Sequence, residues 1–290
     1  MNKKSLLPIL IATAMTGCAS DYVNNQELNQ VESVAIVVFN VPEYITRNTE
    51  DPEKISKEMN SSFSSSDLLA MAGNQIGGIV KDATDLATQS HIMKRIDGTE
   101  AANISITKFA NQLGKLEGWT ILPPSEVIAN STYKQVSADI LSDPQIKTSV
   151  SFARATKSPQ HYIQLPLPSS YNTQPDYYKQ PSFTQGMATI SRALNVDAVI
   201  VINDTGFSTD QESIFVGGNC FTKSALQYAM FNNNGEVIVD TRASFEKGNI
   251  VEQKGCVSGS FHDVDYIKAL KAHGSKQAEV VHDKLNKIRS

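Results

Sequence analysis

The chain has 290 residues, 40% of them hydrophobic and 19% charged, with a formal net charge of −4; this balance suits a folded body and excludes an intrinsically disordered one. Nucleic-acid recognition shows as a basic excess, and here 26 Lys and Arg stand against 30 Asp and Glu, so no nucleic-acid partner is expected. A chain of this length buries a sizeable core, as one large domain or two small ones.

Lys3 and Lys4 open the chain, Leu6 to Met15 form an apolar run interrupted by Pro8, and Thr16-Gly17 supply two small residues, the layout of an export signal. Spanning the hydrocarbon core takes about twenty apolar residues, so a permanent transmembrane anchor is disfavoured and removal of residues 1–17 is expected. Met15-Thr16-Gly17-Cys18 resembles the lipobox of bacterial lipoproteins, in which the cysteine becomes a diacylglyceryl thioether and its freed amine is acylated after cleavage. The resemblance implies that Cys18 becomes the first residue and carries acyl chains, palmitate among them. Each buried methylene adds about 0.8 kcal/mol to membrane attachment. Ala19 and Ser20 follow, with no Asp directly after the cysteine; by resemblance to sorting patterns this favours the inner leaflet of the outer membrane, with the body in the periplasm. Loss of Lys3 and Lys4 takes the net charge from −4 to −6.

With Cys18 acylated, Cys220 and Cys256 remain, and an even pair in an oxidising compartment reads as a disulfide. Its loop of about 35 residues corresponds to roughly 3 to 4 kcal/mol on the chain-entropy estimate. A reactive thiol is the alternative, but it needs an activating neighbour, and only Lys254 stands near Cys256.

Ser20 to Gln30 is polar without an apolar repeat, which makes residues 18–30 a lipidated tether and 31–290 the folded body. "VESVAIVVFNVP" predicts a buried strand ended by Pro42. Asn48 to Ser66 reads as a Ser- and charge-rich loop. Beyond Ser66 and Asp67, either of which suits an N-cap, Leu69, Ala72, Ile76, Ile79, Ala83, Leu86 and Met93 recur at helical spacing. Beside them Gly73 and Gly77 stand in small-xxx-small spacing, which suits helix association between copies; close packing within one copy, or a break at Gly77-Gly78, is the alternative.

Thr99 to Leu116 predicts a second helix, with Ile104, Phe109 and Leu113 inward and Gly118 as its stop; together the two make a helical insertion over about 66–117. "GWTILPP" predicts a short strand, and Pro124-Ser125-Glu126 the start of another helical stretch. From Ser158 to Phe183, Pro159, Pro166, Pro168, Pro175 and Pro181 interleave with Tyr162, Tyr171, Tyr177 and Tyr178. That spacing disfavours regular helix and predicts an extended loop over about 158–183. Its tyrosines suit a partner surface, with a disordered spacer as the alternative. The helix "MATISRALN" and the strand "VDAVIVIND" follow. "TKSALQYAMF" and "EVIVDTRASF" pair through "NNNGE", where Asn-Gly is a strong hairpin signal. Asp263 to Ile288 predicts a terminal helix packing on the sheet through Ile267, Leu270, Gly274, Ala278, Val281, Leu285 and Ile288. The fold class is α/β (α+β): a mixed sheet with packed helices, a C-terminal hairpin and a terminal helix.

"VAIVVFNV", "FANQLGKLEGWTILPPSEV", "ISRALNVDAVIVI" and "ALQYAMFNNNGEVIVDTRASF" resemble, in their order over about 31–245, a periplasmic α/β domain. It is shared by the lipoprotein activators of penicillin-binding proteins, the curli secretion lipoprotein and the N-terminal domain of the Tol-system propeller protein. In that group a small helix-ending turn leads into an apolar strand and a later hairpin turns through "tGe"; Ala193-Leu194-Asn195-Val196-Asp197 and Asn234-Gly235-Glu236 stand in those places. The resemblance implies the fold and not a reaction. Membrane strands of the curli kind are not expected, since no pair with alternating pattern is evident.

Asp204-Thr205-Gly206 resembles half of an aspartic-protease motif, but Arg242 follows Asp240-Thr241 where a second glycine is needed; Asp204 reads instead as a turn at a strand end. His91, His161, His262, His273 and His282 lack metal spacing, with His273 and His282 on opposite faces of the terminal helix. No Gly-x-Ser-x-Gly elbow, His-Glu-x-x-His pair or phosphate loop occurs, and no cofactor is expected. Lys268, Lys271, Lys276, Lys284, Lys287 and Arg289 read as a solvated helix face with favourable end charges. The expectation is a non-catalytic, lipid-anchored envelope protein that presents an α/β domain to a protein or peptidoglycan partner. A self-associating subunit of an envelope or secretion complex, and an envelope hydrolase, are the alternatives.

Overall fold

The computed structural model describes residues 21–45, 96–148, 156–165, 175–211, 220–245 and 263–290. Cys18, the helix expected from Asp67 to Met93 with Gly73 and Gly77, Tyr171 and Cys256 lie outside them. The elements in chain order are β1 (Tyr22–Val23), α1 (Asn25–Leu28), β2 (Ser33–Pro42), β3 (Tyr44–Ile45), β4 (Ile96–Asp97), α2 (Gly98–Glu117) and β5 (Thr120–Ile121). Next come α3 (Pro124–Ala129), α4 (Ser131–Ser142), α5 (Pro144–Thr148), β6 (Thr156–Lys157) and α6 (Pro181–Leu194). The chain closes with β7 (Ala198–Gln211), β8 (Cys220–Asn232), β9 (Val237–Phe245) and α7 (Asp263–Arg289).

One sheet, ordered β1-β9-β8-β7-β2-β5 with β6 also on β2, carries the body, in agreement with the α/β class that the sequence predicts. β2 runs parallel to β7 and β5, whereas β7-β8, β8-β9 and β9-β1 are antiparallel. Nine of the ten residues of β2 are buried. That is why its sequence is a continuous Val/Ile run without alternation: a parallel strand covered by helices on both faces has no wet side. Phe39 sends its ring against Phe109 of α2, centroids 6.1 Å apart, while Tyr133 of α4 donates from the other side to the Val37 carbonyl oxygen at 2.9 Å. Helices α2 and α7 thus cover one face, and α4 and α6 the other.

The helix read over Thr99–Leu116 is α2. Asp97 Oδ1 accepts from Thr99 N–H at 2.7 Å at its start, and Gly118 ends it at φ 74°, in the left-handed region. Phe109 and Leu113 are buried, and Ile104 is half-buried against the core. The stretch opened by Pro124 is three helices; Asn130 Oδ1 accepts from Tyr133 N–H at 3.0 Å and starts α4, and Pro144 opens α5. Leu270, Gly274, Ala278, Val281 and Leu285 of α7 are buried, with Ile267 half-buried. That helix touches β8 and β9 and packs along α2.

Two expectations are corrected. The polar segment 21–30 is no free tether: β1 pairs antiparallel with β9, Tyr22 opposite Asp240, and Leu28 of α1 is in the core. The Pro/Tyr-rich segment is not an open loop along its described part. Pro175 precedes a 3-10 turn over Asp176–Lys179, and Pro181 sits in the first turn of α6, where its missing N–H costs nothing. Tyr162, Tyr177 and Tyr178 are buried. Tyr177, Tyr178, Phe183 and Phe231 form an aromatic cluster with centroids 5.2 to 5.8 Å apart, so the hydrophobic effect takes rings that composition alone assigns to the surface.

Gly274 sets the distance between α7 and α2, because a Cβ there would collide with the Ser105 carbonyl oxygen and press on the Phe109 amide nitrogen. Backbone cannot move aside as a flexible side chain does. Gly274→Val is expected to lower stability by about 1–3 kcal/mol through overpacking, read by urea denaturation. Lys271→Ala, on the exposed side of the same helix, is expected to stay within about 0.5 kcal/mol.

Candidate functional site

The carboxyl ends of two adjacent parallel strands are where α/β proteins place their sites, and here the apolar runs of β2 and β7 end in Asn40, Asn203 and Asp204, all buried. Strand alternation sends Asn203 and Asp204 to opposite faces. Asn40 and Asn203 are register partners, and Asn40 Nδ2 donates to Asn203 Oδ1 at 2.8 Å. Asn203 Nδ2 donates to the hydroxyl oxygens of Tyr177 and Tyr178, at 3.2 and 3.1 Å. Asn40 Oδ1 accepts from Ser158 Oγ at 2.8 Å, and Ile163 N–H donates to the Tyr133 hydroxyl at 3.0 Å. Burial pushes the Tyr133, Tyr177 and Tyr178 phenols well above their ordinary range, so they stay neutral and serve as hydrogen-bonding posts. This layer seats the 158–165 segment and the 3-10 turn on the strand ends.

On the opposite face, Asp204 gathers α7. His273 Nε2 lies 3.0 Å from Asp204 Oδ2, Gln277 Nε2 donates to the same oxygen at 2.8 Å, and Ser224 Oγ of β8 donates to Asp204 Oδ1 at 3.3 Å. Gln277 Nε2 also lies 3.1 Å from Ser224 Oγ. Asp204 sits inside β7 beside a register shift between Asp204 and Gly206, which corrects the reading of it as a strand-ending turn. A serine, a histidine and an aspartate thus meet, but in the wrong order for nucleophilic catalysis. A triad needs the imidazole between acid and nucleophile; here the carboxylate stands between His273 and Ser224. The arrangement clamps a helix to a sheet.

A second clamp holds the far end of α7. Glu117, at the C-terminal end of α2 where the helix dipole disfavours an anion, has its side chain only 2% exposed. Its oxygens meet His282 Nδ1 at 2.7 Å and Arg289 Nη1 at 2.9 Å. His273 and His282 do lie on opposite faces of α7, one toward β7 and the other toward α2.

The N-terminal segment makes the third join. Asp21 Oδ1 accepts from Thr241 Oγ1 at 2.7 Å and from Arg242 N–H at 3.3 Å, and Lys284 Nζ of α7 meets its other oxygen at 2.6 Å. Burial alone would raise the Asp21 carboxyl; Lys284, Thr241 and the Arg242 N–H outweigh that and hold it below the ordinary carboxylate range. Nearby, Asp197 Oδ2 accepts from the N–H groups of Glu32 and Ser33 and from Ser33 Oγ, at 2.8 to 3.0 Å. With Glu27, Glu236 and Asn232 it lines an open cleft of about 280 Å³. The cleft's acids are spent internally: Glu27 accepts from Asn24 and Asn232, and Glu236 from Asn232.

Among the sequence-predicted site residues, Tyr177 and Tyr178 come together in the core, and Tyr162 is buried apart from them against Tyr133, ring centroids 6.0 Å apart; none of the three forms a partner surface. Cys220 opens β8, paired with Gln211; its expected partner Cys256, like Cys18, Tyr171, Gly73 and Gly77, lies outside the described residues. No group of three or more His, Cys, Asp or Glu fit to hold a metal occurs among the described residues. Reasoning from sequence misses the Asp204 clamp. Its only local signals are a carboxylate inside an apolar strand and a histidine within an apolar helix row. Comparison of the chain with protein-family models, curated proteins and solved structures gives no match.

Asp204→Ala takes from His273, Gln277 and Ser224 the acceptor they share in the core, and is expected to cost about 1–3 kcal/mol, the range for a lost buried hydrogen-bond partner, by urea unfolding. Asp204→Asn, which keeps an acceptor, should cost less. The Asp21 join carries a pH dependence. Its folded carboxyl titrates below the unfolded value of about 3.9, so the join is fully present above that pH and is lost as pH falls through the folded value. The Asn24 N–H, bonded to the Ile238 carbonyl at 2.8 Å, is expected to lose hydrogen-exchange protection there, and Asp21→Asn to lower that protection already at neutral pH.

Proposed function

We propose that the chain is a non-catalytic, lipid-anchored envelope protein that holds its α/β body at the periplasmic face of the outer membrane for a protein or peptidoglycan partner. One observation carries the reading: an export signal ending in Met-Thr-Gly-Cys stands three residues ahead of Asp21, where the docked N-terminal segment begins. A chain built to be acylated at Cys18 thus passes at once into a folded body.

The resemblance to the periplasmic α/β domain of penicillin-binding-protein activators is supported by the order of elements. Helix α6 ends at Asn195 with φ 53° and releases the chain into β7. The β8–β9 hairpin turns through Asn232–Glu236, where Asn232 Oδ1 accepts from the N–H groups of Asn234 and Glu236. The absence of a catalytic role in this reading rests on what the buried acids do: Asp204 and Glu117 each hold α7 in place. Cys220 and Cys256 form a disulfide in it, and Gly73 and Gly77 remain the sequence's candidates for self-association.

The full-length chain tests the anchor. Wild-type protein is expected to incorporate labelled palmitate and sediment with membranes, and Cys18→Ser to lose the label and move to the soluble fraction. A Cys18→Ser variant that stays with the membrane would overturn the reading.

A further inference from the structure

We infer that the β1 edge of the sheet rests on the lipid headgroup layer, with Tyr22 as a second, aromatic contact beside the acylated Cys18. This rests on the lipid-anchor reading and deepens it: the body lies flush on the leaflet instead of swinging on a leash. Two residues, Ala19 and Ser20, separate Cys18 from Asp21, and Asp21 is fixed to β9 and α7 through Thr241 and Lys284. Four residues of fully extended chain reach about 14 Å, so Tyr22 stays within that distance of a cysteine whose thioether sits at the glycerol level. The headgroup layer occupies the outer part of a bilayer whose total thickness is about 40–45 Å against a core of about 30 Å. Each headgroup layer is thus about 5–8 Å deep, and the anchor keeps the edge strand within about 9 Å of it.

The surface at that point suits the contact. Tyr22 is 49% exposed, and it and Leu141 are the large hydrophobic side chains exposed among the described residues. Tyrosine rings settle at membrane interfaces because one end is apolar and the other wet. β1 is the terminal strand of the sheet, so no further strand of the described fold covers it. Asp21, the carboxylate nearest the anchor in sequence, is matched by Lys284 Nζ at 2.6 Å.

The test uses full-length acylated protein in phosphatidylethanolamine and phosphatidylglycerol vesicles. Tyr22→Trp is made with Trp119→Phe, Trp119 being the single tryptophan of the chain, and phospholipid brominated near the headgroup end of its acyl chains is the quencher. Indole emission from the double variant is expected to be quenched, since an aromatic ring at the interface lies at the depth of the bromines. A flexible insert of about ten Gly and Ser residues between Ser20 and Asp21 should reduce that quenching while palmitate incorporation is unchanged. Palmitate incorporated with the introduced indole unquenched overturns the flush geometry and leaves the anchor standing; no palmitate in the chain removes the anchor and this inference together. An emission shift that follows the protein-to-lipid ratio without quenching would put a second copy on the edge and also overturn it.

Discussion

Parallel pairing of β2 with β7 is the constraint from which the rest follows. Two adjacent parallel strands need a crossover between them, and here the chain passes from β2 through α2 to β5, and from β5 by way of α3, α4, α5 and α6 to β7, in making it. Its helices have to close both faces of strands that have no polar side. The register Val34 opposite Ala198 through Asn40 opposite Asn203 then brings the two asparagines side by side where the parallel pairing ends. Once there, in a site with no water-facing side, their amides need partners, since an unmade buried hydrogen bond costs about 1–3 kcal/mol. Ser158, Tyr177 and Tyr178 supply them. The described segments 158–165 and 175–180 are held by the polar demands of these two asparagines as well as by their own aromatic rings.

The same logic accounts for α7. A terminal helix with an apolar stripe would pack on any apolar face; what specifies its position are three polar joins along its length. Asp204 takes His273 and Gln277, Glu117 takes His282 and Arg289, and Asp21 takes Lys284. The joins lie on three different parts of the chain, on β7, on the end of α2 and at the N-terminal segment, so the helix ties together pieces that are far apart in sequence. Gly274 adds the steric half of the specification, since it fixes how closely the helix can approach α2. Shifting α7 by a residue would bring a Cβ to that contact and break all three polar joins at once.

Much of this fold is legible in the residue pattern, and the limits are physical. β2, the hairpin around Asn234-Gly235, α2 with its Gly118 stop, and α7 announce themselves because each has a period or a turn residue whose cause is local. Segments whose structure comes from distant partners do not. Tyr22–Val23 is a strand because β9 accepts it, and Asp21 meets Thr241 across 220 positions of chain; two residues have no period to read. Flanking prolines give Tyr177 and Tyr178 the look of a surface loop, yet Pro175 and Pro181 sit at helix starts, where proline is at ease. The Asp204 site is hidden for a related reason. Three partners that lie 20, 69 and 73 positions away leave no motif.

The short passage from Cys18 to Asp21 changes what a lipid anchor does mechanically. A long spacer lets a domain search a large volume, its reach growing as the square root of spacer length, and leaves its orientation free. In the proposed reading, only Ala19 and Ser20 stand between an acylated Cys18 and Asp21, so the anchor's position would be passed to the β1–β9 edge and through Lys284 to α7. A body held this way would offer a partner a face of limited orientation close above the leaflet. Preorganisation of that kind lowers the orientational cost of association without any new contact. Under the proposed acylation of Cys18, the N-terminal segment, which by composition looks like slack, is the part of the fold that would convert a lipid attachment into an orientation.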